Sequence, residues 1–255
     1  MVAKINMNNQ GQIFIFVVVA IVLVIGVLII FLLRGPLEMR LTDESNPNAF
    51  IESCTREAVE EAVELLQEGG GDINPVGFFQ FEDRPITYLC YNANYYESCI
   101  TQRPLLIEHM QQEITDYITP KISDCFFNLE SDLRRRYTVE SGTLAIETIL
   151  QPETIVVSIQ KNLELSRENE VRTFEKFSMV ANHPLYNLGE ISMTIANQEA
   201  KYCDFDELGY MILYPQYDIT KFVTGDATIV YQVTERNSDE SFRFAVRSCA
   251  LPEGY

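Results

Sequence analysis

The sequence has no tryptophan and only two histidines, His109 and His183. It holds no C-x-x-C pair, no G-x-S-x-G, no P-loop and no glycine-rich dinucleotide pattern. Those signatures place nucleophiles, phosphates or metals by fixed spacing. Without them the chain is expected to be no enzyme and to take no cofactor or metal. His109 and Glu113, four apart on an expected helix, offer two ligands where a structural metal needs about four. His183 precedes Pro184 at an expected helix start, a surface or capping position.

Basic residues are scarce and unevenly placed. The first 37 residues carry Lys4 and Arg34 and no acid; the remaining 218 carry 17 bases against 37 acids, a net charge of −20. Nucleic acid and anionic lipid surfaces reward clustered Lys and Arg. Neither is an expected partner.

What is present at the start is apolar. Ile13 to Leu33 is 21 residues without a charge or a proline. A bilayer core takes about 20 such residues in a helix, whereas a cleaved secretory signal has an apolar run of about 7–15. Residues 13–34 are therefore expected to form a single transmembrane helix with the lipid bilayer as partner. A polar leader, 1–12, precedes it and a tether, 35–48, follows. Residues 49–255 form the expected extracytoplasmic domain.

Six cysteines follow the run: Cys54, Cys90, Cys99, Cys125, Cys203 and Cys249. An even count suits disulfides, which persist in oxidising compartments. That puts the domain outside the cytoplasm, at the cell membrane. Many pairings are possible; the expected set is Cys90–Cys99, Cys54–Cys125 and Cys203–Cys249. The last pair raises a conflict, since Cys249 alternates with Arg243 and Arg247 and not with Phe242, Phe244 and Val246. A bulge or a strand end is needed to bury it.

The fold class read from periodicity is α+β. Helices are expected over 48–67, from Pro104 to Pro120, over 123–135, over 182–201 and over 205–213. The first of these carries Phe50, Cys54, Ala58, Ala62 and Leu65 inward and ends at Gly69-Gly70-Gly71. Strands are expected near 76–81 and 86–91, then in "TLAIETIL", "TIVVSIQKNLEL" and "VRTFEKFS", and finally in "YDITKF", "DATIVYQVTE" and "SFRFAVRSC", paired antiparallel.

Three surface stretches remain. "YLCYNANYYESC", 88–99, holds four tyrosines in a loop closed by Cys90–Cys99. Tyrosine gives rigid contact area plus a hydroxyl, and Tyr91, Tyr95 and Tyr96 are the candidate binding residues. Packing of Tyr88 and Tyr91 on Phe78, Phe79 and Phe81 is the equally weighted alternative. Arg134, Arg135 and Arg136 fit a helix C-terminus, where cations offset the dipole. "CDFDE", 203–207, lacks the rest of a calcium loop. The acid pairs Glu60/Glu64 and Asp204/Asp206 read as solvated faces.

"NNQGQIFIFVVVAIVLVIG" resembles the leaders of archaeal type IV pilin-like proteins, which implies cleavage after Gly11 and a mature start at Gln12. "AFIESCTREAVEEAVELLQEGGG", 49–71, resembles the first ectodomain helix of uncharacterised membrane-anchored archaeal surface proteins; that resemblance implies no activity. The expected function is a single-span cell-surface protein with a structural or interaction role, its ectodomain meeting another copy or a protein partner. A pilin-like filament subunit is the second expectation, and an anchored enzyme or solute-binding receptor the third.

Overall fold

The computed structural model describes residues 46–249 apart from Tyr95, and before them Ile21 and Val24. The expected leader, the rest of the expected span and most of the tether lie outside the described residues. Among the described residues no helix is long and apolar enough to cross a membrane.

Asn46 starts helix α1 (Pro47–Gly69): its side chain accepts from the N–H groups of Asn48 at 3.2 Å and Ala49 at 3.4 Å. Pro47, at the first helical position, has no N–H to waste there. Gly70, at φ 74°, ends the helix in the left-handed conformation and donates its N–H to Leu66. The buried stripe is Ile51, Ala58, Val59, Ala62, Val63 and Leu66. It is rotated from the expected stripe, so Cys54 sits half-buried at its flank and Leu65 is only half-buried. Glu57, Glu60, Glu61 and Glu64 face solvent.

The two helices expected on either side of Pro120 are one, α2 (Leu106–Leu133). Pro120 is exposed, and Ile114, Ile118, Ile122 and Phe126 run past it at four-residue spacing, all fully buried. The continuous stripe holds both halves in register although the proline removes one backbone hydrogen bond. Helix α3 (Leu185–Tyr202) starts three residues later than expected because the preceding strand runs through Asn182. The short helix α4 (Glu207–Leu213) starts two residues late and has no buried residue.

Two sheets flank the helices. The first contains β1 (Phe78–Phe81), β2 (Arg84–Tyr91), β8 (Tyr217–Val223), β9 (Thr228–Glu235) and β10 (Ser241–Arg247), in the order β1-β2-β10-β9-β8. A short strand, β3 (Ile100–Thr101), pairs with the end of β2. The second sheet is built on β6 (Thr154–Arg167), which pairs with β4 (Thr138–Ser141), β5 (Ala145–Gln151) and β7 (Glu170–Asn182). Helices α1 and α3 each touch both sheets. Phe126 of α2 meets Phe177 of β7 edge-on at 5.1 Å. The fold is α+β, with one departure from expectation: β2 and β10 pair in parallel, so the first sheet is mixed. No local pattern reveals that pairing, because 150 or so residues of chain return to the sheet before it forms.

All six cysteines pair as expected: Cys54–Cys125, Cys90–Cys99 and Cys203–Cys249. The first joins α1 to α2 and the last joins the end of α3 to the chain beyond β10. Strand β10 ends at Arg247, two residues short of Cys249. The conflict over alternation is therefore met by a strand end.

Candidate functional site

The site grows from an irregularity in β2. Tyr88 lies opposite Ala245 and Tyr91 opposite Arg247, but the register slips between Ala245 and Val246 and leaves Leu89 as an extra residue. A bulge shifts the alternation by one. Tyr88 and Tyr91, three apart, then share a face, with ring centroids 5.0 Å apart.

Arg247 stands beside Tyr91 on the neighbouring strand. Its guanidinium lies over the Tyr91 ring, 5.4 Å from the centroid, and Nη1 donates to the Tyr91 hydroxyl at 3.1 Å. Such a cation over an aromatic face is attracted by the ring's negative quadrupole. The Tyr88 hydroxyl is 3.2 Å from Thr228 Oγ1, and burial pushes its pKa up, so the phenol stays protonated. These side chains, with Phe78, Thr87 and Arg103, line a pocket of about 450 Å³.

Arg103 is held from behind by Asp72. Asp72 is buried just past the glycine turn that ends α1. Arg103 Nη2 donates to its two carboxylate oxygens at 3.3 and 3.2 Å. Thr87 Oγ1 donates to Oδ2 at 2.5 Å, and His109 Nε2 is 2.5 Å from Oδ1. Burial pushes the Asp72 carboxyl upward, but hydrogen bonds from His109 and Thr87 and the charges of Arg103 and His109 outweigh it and hold the pKa below the usual carboxylate range.

Sequence reasoning paired His109 with Glu113 and missed Asp72. One donor atom each from Asp72, His109 and Glu113 lies within 4.8 Å of the others, and these three residues could hold a metal ion. Two features oppose a dication there. The Arg103 guanidinium sits 3.2 Å from the Asp72 carboxylate, where like charges repel strongly. Glu113 already accepts from the Ile73 N–H at 2.9 Å.

Of the candidate binding residues, Tyr91 is half-buried on the pocket wall, Tyr96 is 79 % exposed, and Tyr95 lies outside the described residues. The structure thus brings Tyr91 together with Tyr88, Arg103 and Arg247. Asn92 braces the stapled loop, donating to the carbonyls of Glu97 at 2.8 Å and Ser248 at 2.7 Å. The two arginines were missed as site residues. The signal available was a pair of cations in or beside apolar strands of a strongly acidic chain.

The other marked residues have structural partners. His183 Nδ1 accepts from the Leu185 N–H at 3.1 Å and so caps α3, while burial lowers its pKa. Arg134 and Arg135 follow the end of α2 and pair with Glu130 and Asp132, each at 3.4 Å. Asp204 pairs with Lys221 at 2.9 Å, and Asp206 caps α4 by accepting from the Gly209 N–H at 2.9 Å. Glu60 and Glu64 border a separate cleft of about 490 Å³ near His183 and Glu240.

Comparisons with protein-family models, with curated proteins and with solved structures find no match to this chain.

Proposed function

We propose that the chain is a single-span, membrane-anchored cell-surface protein whose disulfide-stapled α+β domain has an interaction role outside the cytoplasm. The carrying observation is that all six cysteines, every one of them after the 21-residue uncharged run, close as three disulfides. Disulfides persist where thiols are not kept reduced, and an apolar run of that length matches a bilayer. The interaction role is supported by apolar side chains left in water around the stapled loop. Val76 is 83 % exposed, Ile100 72 % and Tyr96 79 %. Contiguous exposed apolar patches mark contact sites, and these three side chains are the ones a patch there would be built from.

The test is protease treatment of intact cells that express the full chain. The expected result is loss of the domain while a cytoplasmic control survives. A domain that is cut only after lysis overturns the topology.

A further inference from the structure

Strand β7 runs along the whole of β6, so β4 and β5 share the opposite side of β6, and the far edge of β7 carries no strand among the described residues. The fold closes its other long edges. The Leu150 N–H of β5 donates to Gln111 Oε1 of α2 at 2.9 Å. On β8 the Tyr217 N–H donates to the Tyr214 carbonyl at 3.1 Å and the Ile219 N–H to Met211 Sδ at 3.2 Å, both from α4 and the residue that caps it. Strands β1 and β4 have four residues each. Strand β7 has 13, and the group met on its far edge among the described residues is the Val180 carbonyl, which accepts from Arg56 Nη2 at 3.1 Å. A long open edge is a template for another strand.

We propose that β7 pairs antiparallel with β7 of a second copy of this chain, about a two-fold axis between Glu175 and Lys176, so that two four-stranded sheets become one. This names a partner for the interaction role proposed above and gives it a surface apart from the stapled loop. It rests on that role only for the compartment in which the copies meet.

The residues of β7 match their own reversal. In this register Glu175 of one copy faces Lys176 of the other, Thr173 faces Ser178, and Val171 faces Val180, each pair occurring twice. All six side chains are exposed, while Phe177 and Met179 between them are buried in their own core. Cross-strand pairs of opposite charge, of hydroxyls and of β-branched residues each stabilise a ladder. A two-fold contact uses the same patch on both copies and so demands self-complementarity of this kind. An unrelated partner strand gives β7 no reason to read alike in both directions about residues 175 and 176.

Charge favours the same partner. Strand β7 holds two acids, Glu170 and Glu175, and two bases, Arg172 and Lys176, in a chain whose residues 38–255 carry a net charge of −20. Two copies repel over most of their surfaces, and this edge is neutral. Arg172 pairs with Glu170 at 3.5 Å, while Glu175 and Lys176 have no side-chain partner in their own copy among the described residues. An edge lysine guards against foreign strands. Beside Glu175 it still does so, yet it finds its counter-charge in a second copy, and that difference is what makes the edge selective. Arg56 stands at the Val180 end, where this register brings Glu168 and Glu170 of the second copy.

The experiment is sedimentation equilibrium of the full chain in density-matched detergent micelles, from about 1 to about 100 μM. The expected result is a monomer–dimer equilibrium with the dimer predominant at the upper concentration. Lys176→Glu sets carboxylates opposite one another at both symmetry-related positions and should weaken the dimer about tenfold. Adding Glu175→Lys to that variant restores opposite charges in the reversed sense and should recover the wild-type affinity. Both positions are exposed, so the circular dichroism spectra of the variants should match the wild type. A monomer throughout the range overturns the proposal. So does a dimer that Lys176→Glu leaves unchanged, which would place the contact in the apolar run or around the stapled loop. Failure of the second substitution to rescue the first overturns the register. Association in micelles does not depend on which side of a membrane the domain lies, so its failure is separate from any failure of the topology.

Discussion

The hydroxyl of Tyr231 donates to Oε1 of Glu199, and both side chains are closed to solvent. Glu199 lies on α3 and Tyr231 on β9, so the bond ties a helix to the first sheet at the end where Cys203–Cys249 joins them. The second oxygen of Glu199 is buried with no hydrogen-bond partner among the described residues. The nearest cation, Lys221, is 4.0 Å from Oε1 and is shared with Asp204.

That geometry predicts a pH dependence. Burial raises the Glu199 pKa more than Tyr231, Lys221 and Ser248 lower it. A carboxyl with a folded pKa above its unfolded value of about 4.3 stabilises the fold fully below the unfolded value. The stabilisation is lost as pH rises through the folded pKa. Urea midpoints of the wild type should therefore fall, relative to Glu199→Gln, as pH is raised from about 4 to 8. A difference between the two proteins that is flat across this window sinks the assignment.

Asp72 predicts the opposite limb. Its folded pKa is lowered, so its contribution is present above the unfolded value of about 3.9 and is lost as pH falls through the folded value. Asp72→Asn leaves the half-buried Arg103 without its counter-charge. Breaking such a pair costs about 3–5 kcal/mol. Chemical denaturation at pH 7 should show a loss of about that size in Asp72→Asn, and the difference from wild type should shrink below about pH 4. A loss under about 1 kcal/mol at pH 7 would mean that the network around Asp72 is solvated.

Much of this architecture can be read from sequence, and the parts that cannot have physical causes. The period-2 segments of β5, β6, β7, β9 and β10 announce themselves because one face of each is buried. The three disulfide pairs are not deducible from spacing, since six cysteines allow many pairings; the structure closes the expected set. The bulge at Leu89 is silent, since no residue there demands it; yet it alone puts Tyr88 and Tyr91 on one face. Asp72 is silent for a different reason. It stands 37 residues from His109, and only the fold of β2 against α1 and α2 brings Thr87, Arg103 and His109 around it. The loop that holds Tyr91 could be marked from sequence, while the neighbour it meets, Arg247, required the parallel pairing of β2 with β10.

Pro120 misleads for a reason that can be measured. A proline inside a helix costs about 3 kcal/mol relative to alanine, but it also restricts the unfolded chain, which gives back about 1 kcal/mol. Since Pro120 is exposed and the stripe beneath it is intact, Pro120→Ala should raise stability by about 2 kcal/mol in urea. A destabilised Pro120→Ala would show that the ring has a packing role the exposed position does not indicate.

The disulfides should rank by the chain they close. Cys54–Cys125 spans 71 residues and Cys90–Cys99 spans 9. Loop-closure entropy assigns the long loop about 4 kcal/mol and the short one about 3. Replacing both members of each pair by alanine should therefore destabilise the long-loop variant more. Equal losses in the two variants, or a larger loss in the short-loop one, would show that native packing around the bridges outweighs loop closure.

The last prediction concerns the N-terminus, which bears on anchor against filament. Trypsin cuts after Lys4 and Arg34, and the intervening residues are free of Lys and Arg. A permanent anchor yields the peptide from Ile5 to Arg34 from native membranes. Processing after Gly11 yields Gln12 to Arg34 instead, which is the start expected of a pilin-like subunit. The anchored reading expects the first mass. Recovery of the second would move the apolar run out of the role of a lone span and into that of a shared helical bundle, and the acidic domain would then be repeated along a filament.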